Sequence, residues 1–231
     1  AIPSVLFRKN DHVRQNAKMN KYSLAAWCLQ VLITARKKVL PSYEKGVVTL
    51  DFIKYVATLS SFSEGPKLAK EYLEKHGIHL IYVPHLPQTY LDGAVLQLSN
   101  GSPVIGLTLR YDRIDNFWFC LCHELGHIGR HLDVKKDQIF IDDLTSHSFY
   151  YEDNRIENEA DEWAESALIP DFQKFNSLLN GQRTSKKILE LAAQMQVHPA
   201  IVVGSIRHKL KNFHLFSNLI GHGEVRKHFK S

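Results

Sequence analysis

The feature that most constrains this chain is the sequence HELGH at residues 123–127, inside the apolar run NFWFCLCHELGHIGRH. On a helix, positions i and i+4 lie on the same face, so His123 and His127 can direct their imidazoles at one point. Glu124 lies beside that face, within reach of a water held there. H-E-x-x-H on a helix is the two-histidine half of a zinc peptidase site in which the Glu is the general base. The sequence therefore predicts a helix over about residues 115–132 that carries a metal site.

A zinc site in a hydrolase needs a third protein ligand and an open position for water. One extended pattern places a third histidine six residues after the second, but Asp133 holds that position here. The acidic segment IENEADEWA offers carboxylates instead: Glu157, Glu159, Asp161 and Glu162. We expect Glu162 and Glu165 to form a solvated face, which leaves Glu157, Glu159 and Asp161 as the candidates.

Composition and cysteine usage set the class of protein. The 231 residues are 44% hydrophobic and 23% charged, which is typical of a globular chain with a real core. No apolar run approaches the roughly 18–20 residues of a membrane span, and no signal peptide is visible. Three cysteines without a CxxC unit indicate reduced thiols in a cytoplasmic protein, and we expect Cys120 and Cys122 to be buried apolar positions rather than ligands. The net charge of +5 permits a nucleic-acid partner without requiring one.

The order of predicted elements is helices, a small sheet and then helices, which indicates an α+β domain. No element is predicted in the first twenty residues, which we expect to be flexible. Helical periodicity is found at 22–40, 50–62, 65–77, 115–132, 154–170, 185–196 and 198–213. Strands are predicted at 78–84, 93–99, 103–109 and 137–143.

The run FWFCLCHELGHIGRH followed by IENEADEWAESALIP resembles the ImmA/IrrE-type metallopeptidases. Their signature is HELGH and then E-A-[ND]-x-[FW]-A…L-x-P on the following helix, and the resemblance covers roughly residues 65–210. It implies a zincin-like metallopeptidase domain with a small mixed sheet, an HExxH helix and additional N- and C-terminal helices. The implied metal ligands are His123, His127 and Glu159, with Glu124 as the catalytic base.

Some assignments within the resemblance stay open. Glu157 is the alternative third ligand, since Glu157 and Asp161 also fit a ligand plus its orienting carboxylate. His131 matches a further histidine of the family, and we expect it to make a structural contact rather than to bind metal. Tyr150, Tyr151 and Arg155 precede or begin the ligand helix and are candidates for stabilising an oxyanion.

The resemblance also implies a domain organisation: an N-terminal helical segment at 1–64, the metallopeptidase domain at 65–215 and a basic C-terminal tail at 216–231. In the family this domain can follow an Xre-type helix-turn-helix, as in HigA-like antitoxins. Because no convincing helix-turn-helix is visible at the start of this chain, we expect DNA contact only through a region that precedes Ala1. Residues 188–210 have helix-turn-helix spacing, but we expect them to serve as a packing element.

The predicted function is a zinc-dependent endopeptidase that cleaves a specific protein partner, a DNA-binding repressor or an antitoxin, in the cytoplasm. The ligand set also suits Mn²⁺ or Fe²⁺. We expect an extended substrate segment to pair with the strand at 103–109, just upstream of the HELGH helix. The alternative is a regulatory domain that binds metal and senses a ligand or partner without proteolysis.

Overall fold

Eight α-helices and one four-stranded sheet are formed by the part of the chain that the computed structural model describes, residues 5–9, 20–132 and 154–229. The strands are β1 (Val5–Lys9), β2 (His79–Tyr82), β3 (Leu91–Gln97) and β4 (Pro103–Leu107). The helices are α1 (Lys21–Ala35), α2 (Leu50–Thr58), α3 (Gly65–Lys75), α4 (Ile114–His131), α5 (Asn154–Leu168), α6 (Phe172–Asn180), α7 (Ser185–Met195) and α8 (Pro199–Leu210). None of these helices is long and apolar enough to cross a membrane. The predicted α+β class with a small sheet is confirmed.

The sheet is mixed, with the strand order β1-β3-β4-β2. β2 runs parallel to β4, whereas β3 runs antiparallel to both of its neighbours, β1 and β4. β4 is therefore an internal strand that is paired on both sides from Pro103 to Leu107. The prediction that substrate pairs along residues 103–109 is wrong, because an internal strand has no free backbone edge to offer. All five residues of β4 are apolar and buried, as is typical of a central strand.

The two faces of the sheet are covered by different helices. α1 packs on one face so closely that a Cβ on Gly106 of β4 would lie 2.8 Å from Trp27. The indole Nε1 of Trp27 also donates a hydrogen bond of 3.0 Å to the carbonyl of Val83. On the other face, Val95 and Ile105 share a buried cluster with residues of α4. The sheet thus forms the middle layer that holds α4 in place.

α5 packs against α4 at glycine positions. A Cβ on Gly126 would lie 3.1 Å from the backbone of Ala160, and a Cβ on Gly129 would lie 2.7 Å from Trp163. Ala160 and Ala164 on α5 are fully buried. Small residues on both helices therefore bring the two backbones close together, and the side chains that flank this contact line face each other across the helix pair.

Most predicted elements are confirmed, with shifted ends, and two were missed. α6 was not predicted, and Val5–Lys9 form a strand where the sequence favoured a flexible segment. α7 and α8 bury Ile188, Leu191 and Val202 in the main core, as expected for a packing element. The strand predicted at 137–143 lies outside the described residues, and the domain boundaries at 64 and 215 stay predictions.

Candidate metal centre

α4 places two histidines at one point, as the spacing predicted. His123 and His127 are at most 1% exposed. Their rings meet nearly edge-on at a centroid distance of 4.6 Å. Their Nε2 atoms lie 2.9 Å apart. This separation follows from the one-turn spacing on a helix that is buried on most of its sides.

The third group at this point is Glu157 of α5. Its Oε2 lies 3.3 Å from Nε2 of His123, and its Oε1 lies 3.3 Å from Nε2 of His127. One donor atom from each of the three residues can be chosen so that all three lie within 4.8 Å of one another. The structure therefore groups the two histidines with a carboxylate from the predicted acidic segment.

Glu159, the carboxylate that the resemblance favoured, lies elsewhere. Its two oxygens accept from Arg155 Nε and from Arg130 Nη2, each at 2.9 Å. The reason is helical geometry: when Ala160 faces α4, Glu157 lies on one flank of the contact line and Glu159 on the opposite flank. The structure thus corrects the preferred third candidate from Glu159 to Glu157.

Asp161 orients the first histidine. The Nδ1 of His123 donates a hydrogen bond of 2.8 Å to Oδ1 of Asp161. With a cation bound, a proton on Nδ1 would leave the lone pair of Nε2 for the cation. A histidine that ligates a metal usually donates its second ring nitrogen in this way. This arrangement matches the alternative in which Glu157 is the ligand and Asp161 is the orienting carboxylate.

The protonation of these groups suits a cation. Burial lowers the pKa of His127, which keeps its imidazole neutral at pH 7. Burial raises the pKa of Glu157, but hydrogen bonds with His123 and His127 outweigh it and lower the pKa to about 2. The cluster therefore combines neutral imidazole with ionised carboxylate, the donors that divalent transition metals take.

The spacing of the donors also fits a single ion. Four ligands placed tetrahedrally at the usual zinc bond lengths lie about 3.3 Å from each other. The carboxylate–imidazole distances already have this value, and the two imidazole nitrogens would have to separate slightly. The side chains of Glu157 and Asp161 are 39% and 47% exposed, so the cluster opens to solvent on the α5 side. Such an opening is what a catalytic site keeps for water, whereas a structural zinc site is closed by four ligands.

Glu124 lies between α4 and the sheet. It is fully buried, and a Cβ on Gly93 of β3 would lie 2.7 Å from its Oε1. Only glycine lets the strand pass this close to the carboxylate. β3 therefore borders the site directly.

A cleft of about 430 Å³ adjoins the candidate metal site formed by His123, His127 and Glu157. Two residues that line the cleft also contact His123. The ring of Phe119 lies 6.3 Å from that of His123 at an interplanar angle of 29°, and Asp161 accepts the hydrogen bond from its Nδ1. The lining is mixed: charged side chains such as Arg113, Asp115, Glu165 and Lys209 accompany apolar side chains from α5, the residue after it, α6 and α8, namely Leu168, Ile169, Phe175 and Ile201. The cleft can therefore take a bulky apolar group next to the candidate metal site.

The remaining sequence candidates have other environments. His131 Nε2 lies 3.8 Å from Glu159, and burial lowers the pKa of His131 to about 4, so it makes a structural contact as expected. Arg155 is held by Glu159, while residues 150 and 151 lie outside the described residues. Cys120 and Cys122 are buried and form no disulfide, as expected, and burial raises the pKa of Cys122.

No family model, curated protein or solved structure matches this chain.

Proposed function

We propose that this chain is a metal-dependent endopeptidase of the ImmA/IrrE type with a zincin-like fold. In this proposal His123, His127 and Glu157 hold Zn²⁺, and Glu124 is the general base. The observation that carries the proposal is the convergence of the three donor groups within 4.8 Å. Two of them belong to the α4 turn that also holds Glu124, and the third belongs to α5. Mn²⁺ or Fe²⁺ would fit the same donors, so the choice of zinc is part of the proposal.

The bound cation would supply Lewis acidity, which polarises a peptide carbonyl and acidifies water. Glu124 accepts the proton of the attacking water and returns it to the leaving amine nitrogen. Its burial against β3 keeps the carboxylate in one place and limits access of bulk water to the proton. Asp161 fixes the ring of His123 and so sets the direction of its Nε2 lone pair.

The cleft beside the cluster suggests what the substrate carries. The apolar side chains among the lining residues, Leu168, Phe175 and Ile201, favour a polypeptide segment with a bulky apolar side chain near the bond that is cut. The proposed substrate is a specific protein, a DNA-binding repressor or an antitoxin, and the proposed compartment is the cytoplasm. In this proposal the helices that flank the cleft supply the specificity, so generic unfolded proteins should be poor substrates.

The test is cleavage by the Zn²⁺-loaded chain of the repressor or antitoxin encoded beside it, with casein as a generic comparison and mass spectrometry to identify fragments. Glu124→Gln should retain metal and lose about 10²–10⁴-fold in rate, since the proton transfer is removed while the ligands stay. Glu162→Gln, which removes an exposed carboxylate from α5, is the matched control and should cleave normally.

Other outcomes point elsewhere. Cleavage by Glu124→Gln at the unaltered rate would contradict the general-base role. Ready digestion of casein would indicate a broad degradative enzyme. Bound metal and tight partner binding without any cleavage would favour the sensing domain.

A further inference from the structure

β3 is the strand of the sheet that borders the candidate site, and its edge away from β4 is the one with which a further strand can pair. Gly93 of β3 passes over Glu124, and Asp92 lines the same cleft as Asp161. An extended polypeptide that pairs with this edge would therefore have its backbone beside both Glu124, the proposed base, and the candidate metal site. Backbone pairing with a sheet edge is a common way to bind an extended segment.

In this structure the edge is already taken by the chain itself. β1 pairs antiparallel with β3 from Val5, opposite Leu96, to Lys9, opposite Leu91. The pairing thus extends along nearly all of β3, so a second segment cannot bind there at the same time. Residues 1–9 are far from β3 in sequence, which makes β1 an added strand rather than part of a hairpin.

The pairing is interrupted next to Glu124. Phe7 is opposite Ala94 and Lys9 is opposite Leu91, so one residue of β1 faces both Asp92 and Gly93. β3 contributes the extra residue, and a bulge of this kind leaves backbone groups out of the ladder and bends the strand that carries it. The pairing of β1 with β3 is therefore least regular at Gly93, which passes next to the proposed base.

We propose that β1 is an intramolecular competitor of substrate: it occupies the β3 edge, and an external extended segment binds in antiparallel orientation only when β1 leaves. The sequence VLFRK of β1 is three apolar residues followed by two basic ones. The cleft beside the edge carries Asp92 and Asp161 in addition to the ion pairs Arg113–Asp115 and Lys209–Glu165. The external segment is accordingly a polypeptide of the same apolar-then-basic pattern. Inhibition by β1 depends on the proposed function, because it requires that the chain cleaves a substrate. The exchange of β1 for an external strand does not depend on it.

The experiment uses the full chain with Leu6→Pro/Phe7→Pro, because proline lacks the N–H that a ladder needs. The matched control, Leu6→Ala/Phe7→Ala, removes the same side chains and keeps both N–H groups. Hydrogen–deuterium exchange then reports on the amides of Leu91–Gln97 that do not pair with β4. They should exchange at least about tenfold faster in the proline variant than in the alanine variant.

A labelled peptide with the sequence of residues 1–11 is the probe for the vacated edge. Only those molecules from which β1 has left can bind the peptide, so an internal competitor lowers the apparent affinity of the chain for the peptide. The peptide should therefore bind the proline variant at least about tenfold more tightly than the unaltered chain. The same peptide with prolines at positions 6 and 7 should not bind. Circular dichroism checks the fold, and Leu6→Pro alone is measured in the same way if the double variant unfolds.

Equal exchange of the β3 amides in the proline and alanine variants, or equal peptide affinity for the proline variant and the unaltered chain, would overturn the proposal. Neither readout needs metal or cleavage. A chain that shows the strand exchange and cleaves nothing would therefore contradict the proposed function and leave this inference intact.

Discussion

At the scale of single residues, the sequence predicted the histidine pair but not its acidic partner. His123 and His127 are four positions apart on one helix, so their convergence follows from helical geometry alone. The choice between Glu157 and Glu159 depends on which flank of α5 faces the histidines. That flank is fixed by the contact of Ala160 with Gly126, a tertiary contact that periodicity does not reveal. One signal was present: Glu157 and Asp161 share the i, i+4 spacing of the histidines.

Buried histidine also predicts a pH dependence of stability in the metal-free chain. Burial lowers the pKa of His131 to about 4 in the folded state, while the unfolded value is near 6.5. The unfolded chain therefore binds the proton first as the pH falls. The stability that the neutral side chain contributes is complete above about pH 6.5 and is lost as the pH falls toward 4.

His131→Gln should remove this dependence, since glutamine does not titrate. Between pH 7 and pH 5 the unaltered chain should lose about 2 kcal/mol of unfolding free energy relative to the variant. Urea unfolding at several pH values in the presence of a chelator measures it. A constant difference between the two chains across this range would show that His131 titrates normally in the folded state.

At the scale of elements, composition located the strands but could not order them. The run at 103–107 is apolar on both faces, which agrees with its place as an internal strand, so the predicted pairing of substrate along it fails. Strand order depends on pairings between distant parts of the chain, including β1 with β3, that no local pattern specifies. α6 was missed because it is short and buries only Phe175 and Leu178, although Asp171 accepts a capping hydrogen bond from the Lys174 amide.

The close packing of α4 and α5 predicts an unequal cost of adding a methyl group to two glycines. A Cβ on Gly129 would lie 2.5 Å from the carbonyl oxygen of Val48, a backbone atom that cannot move alone, whereas a Cβ on Gly126 would approach Ala160 to only 3.1 Å. Gly129→Ala should destabilise the chain by about 1–3 kcal/mol, and Gly126→Ala by less.

Thermal or urea unfolding measures both glycine variants. Ser166→Ala, which changes an exposed position of α5, is the control and should shift the unfolding free energy by less than about 0.5 kcal/mol. A Gly129→Ala chain as stable as the unaltered one would mean that α4 does not approach Val48 so closely.

At the scale of the whole molecule, the candidate metal site joins two elements from different parts of the chain. His123 and His127 belong to α4, whereas Glu157 belongs to α5. An ion that binds all three favours the folded chain, because the unfolded chain does not hold the donors together. Metal should therefore stabilise the fold as well as complete the site.

Metal-dependent stability can be measured directly. At a Zn²⁺ concentration one hundred times the dissociation constant, binding should add about 2.7 kcal/mol to the unfolding free energy. For a chain of this size the melting temperature should rise by about 5–10 °C, and a chelator should reverse the rise. Glu124→Gln, which keeps all three donors, should show the same rise. The absence of a shift with Zn²⁺, Mn²⁺ and Fe²⁺ alike would argue against a metal site.

The most direct measurement is metal content and affinity in the matched pair Glu157→Gln and Glu159→Gln, by elemental analysis and titration. Both variants remove one carboxylate from the same helix two positions apart, so general effects on α5 cancel. Glu159→Gln should bind about one ion per chain, as the unaltered protein does, whereas Glu157→Gln should lose at least about tenfold in affinity. Full metal binding by Glu157→Gln, with loss in Glu159→Gln, would contradict the arrangement of His123, His127 and Glu157 as the metal centre.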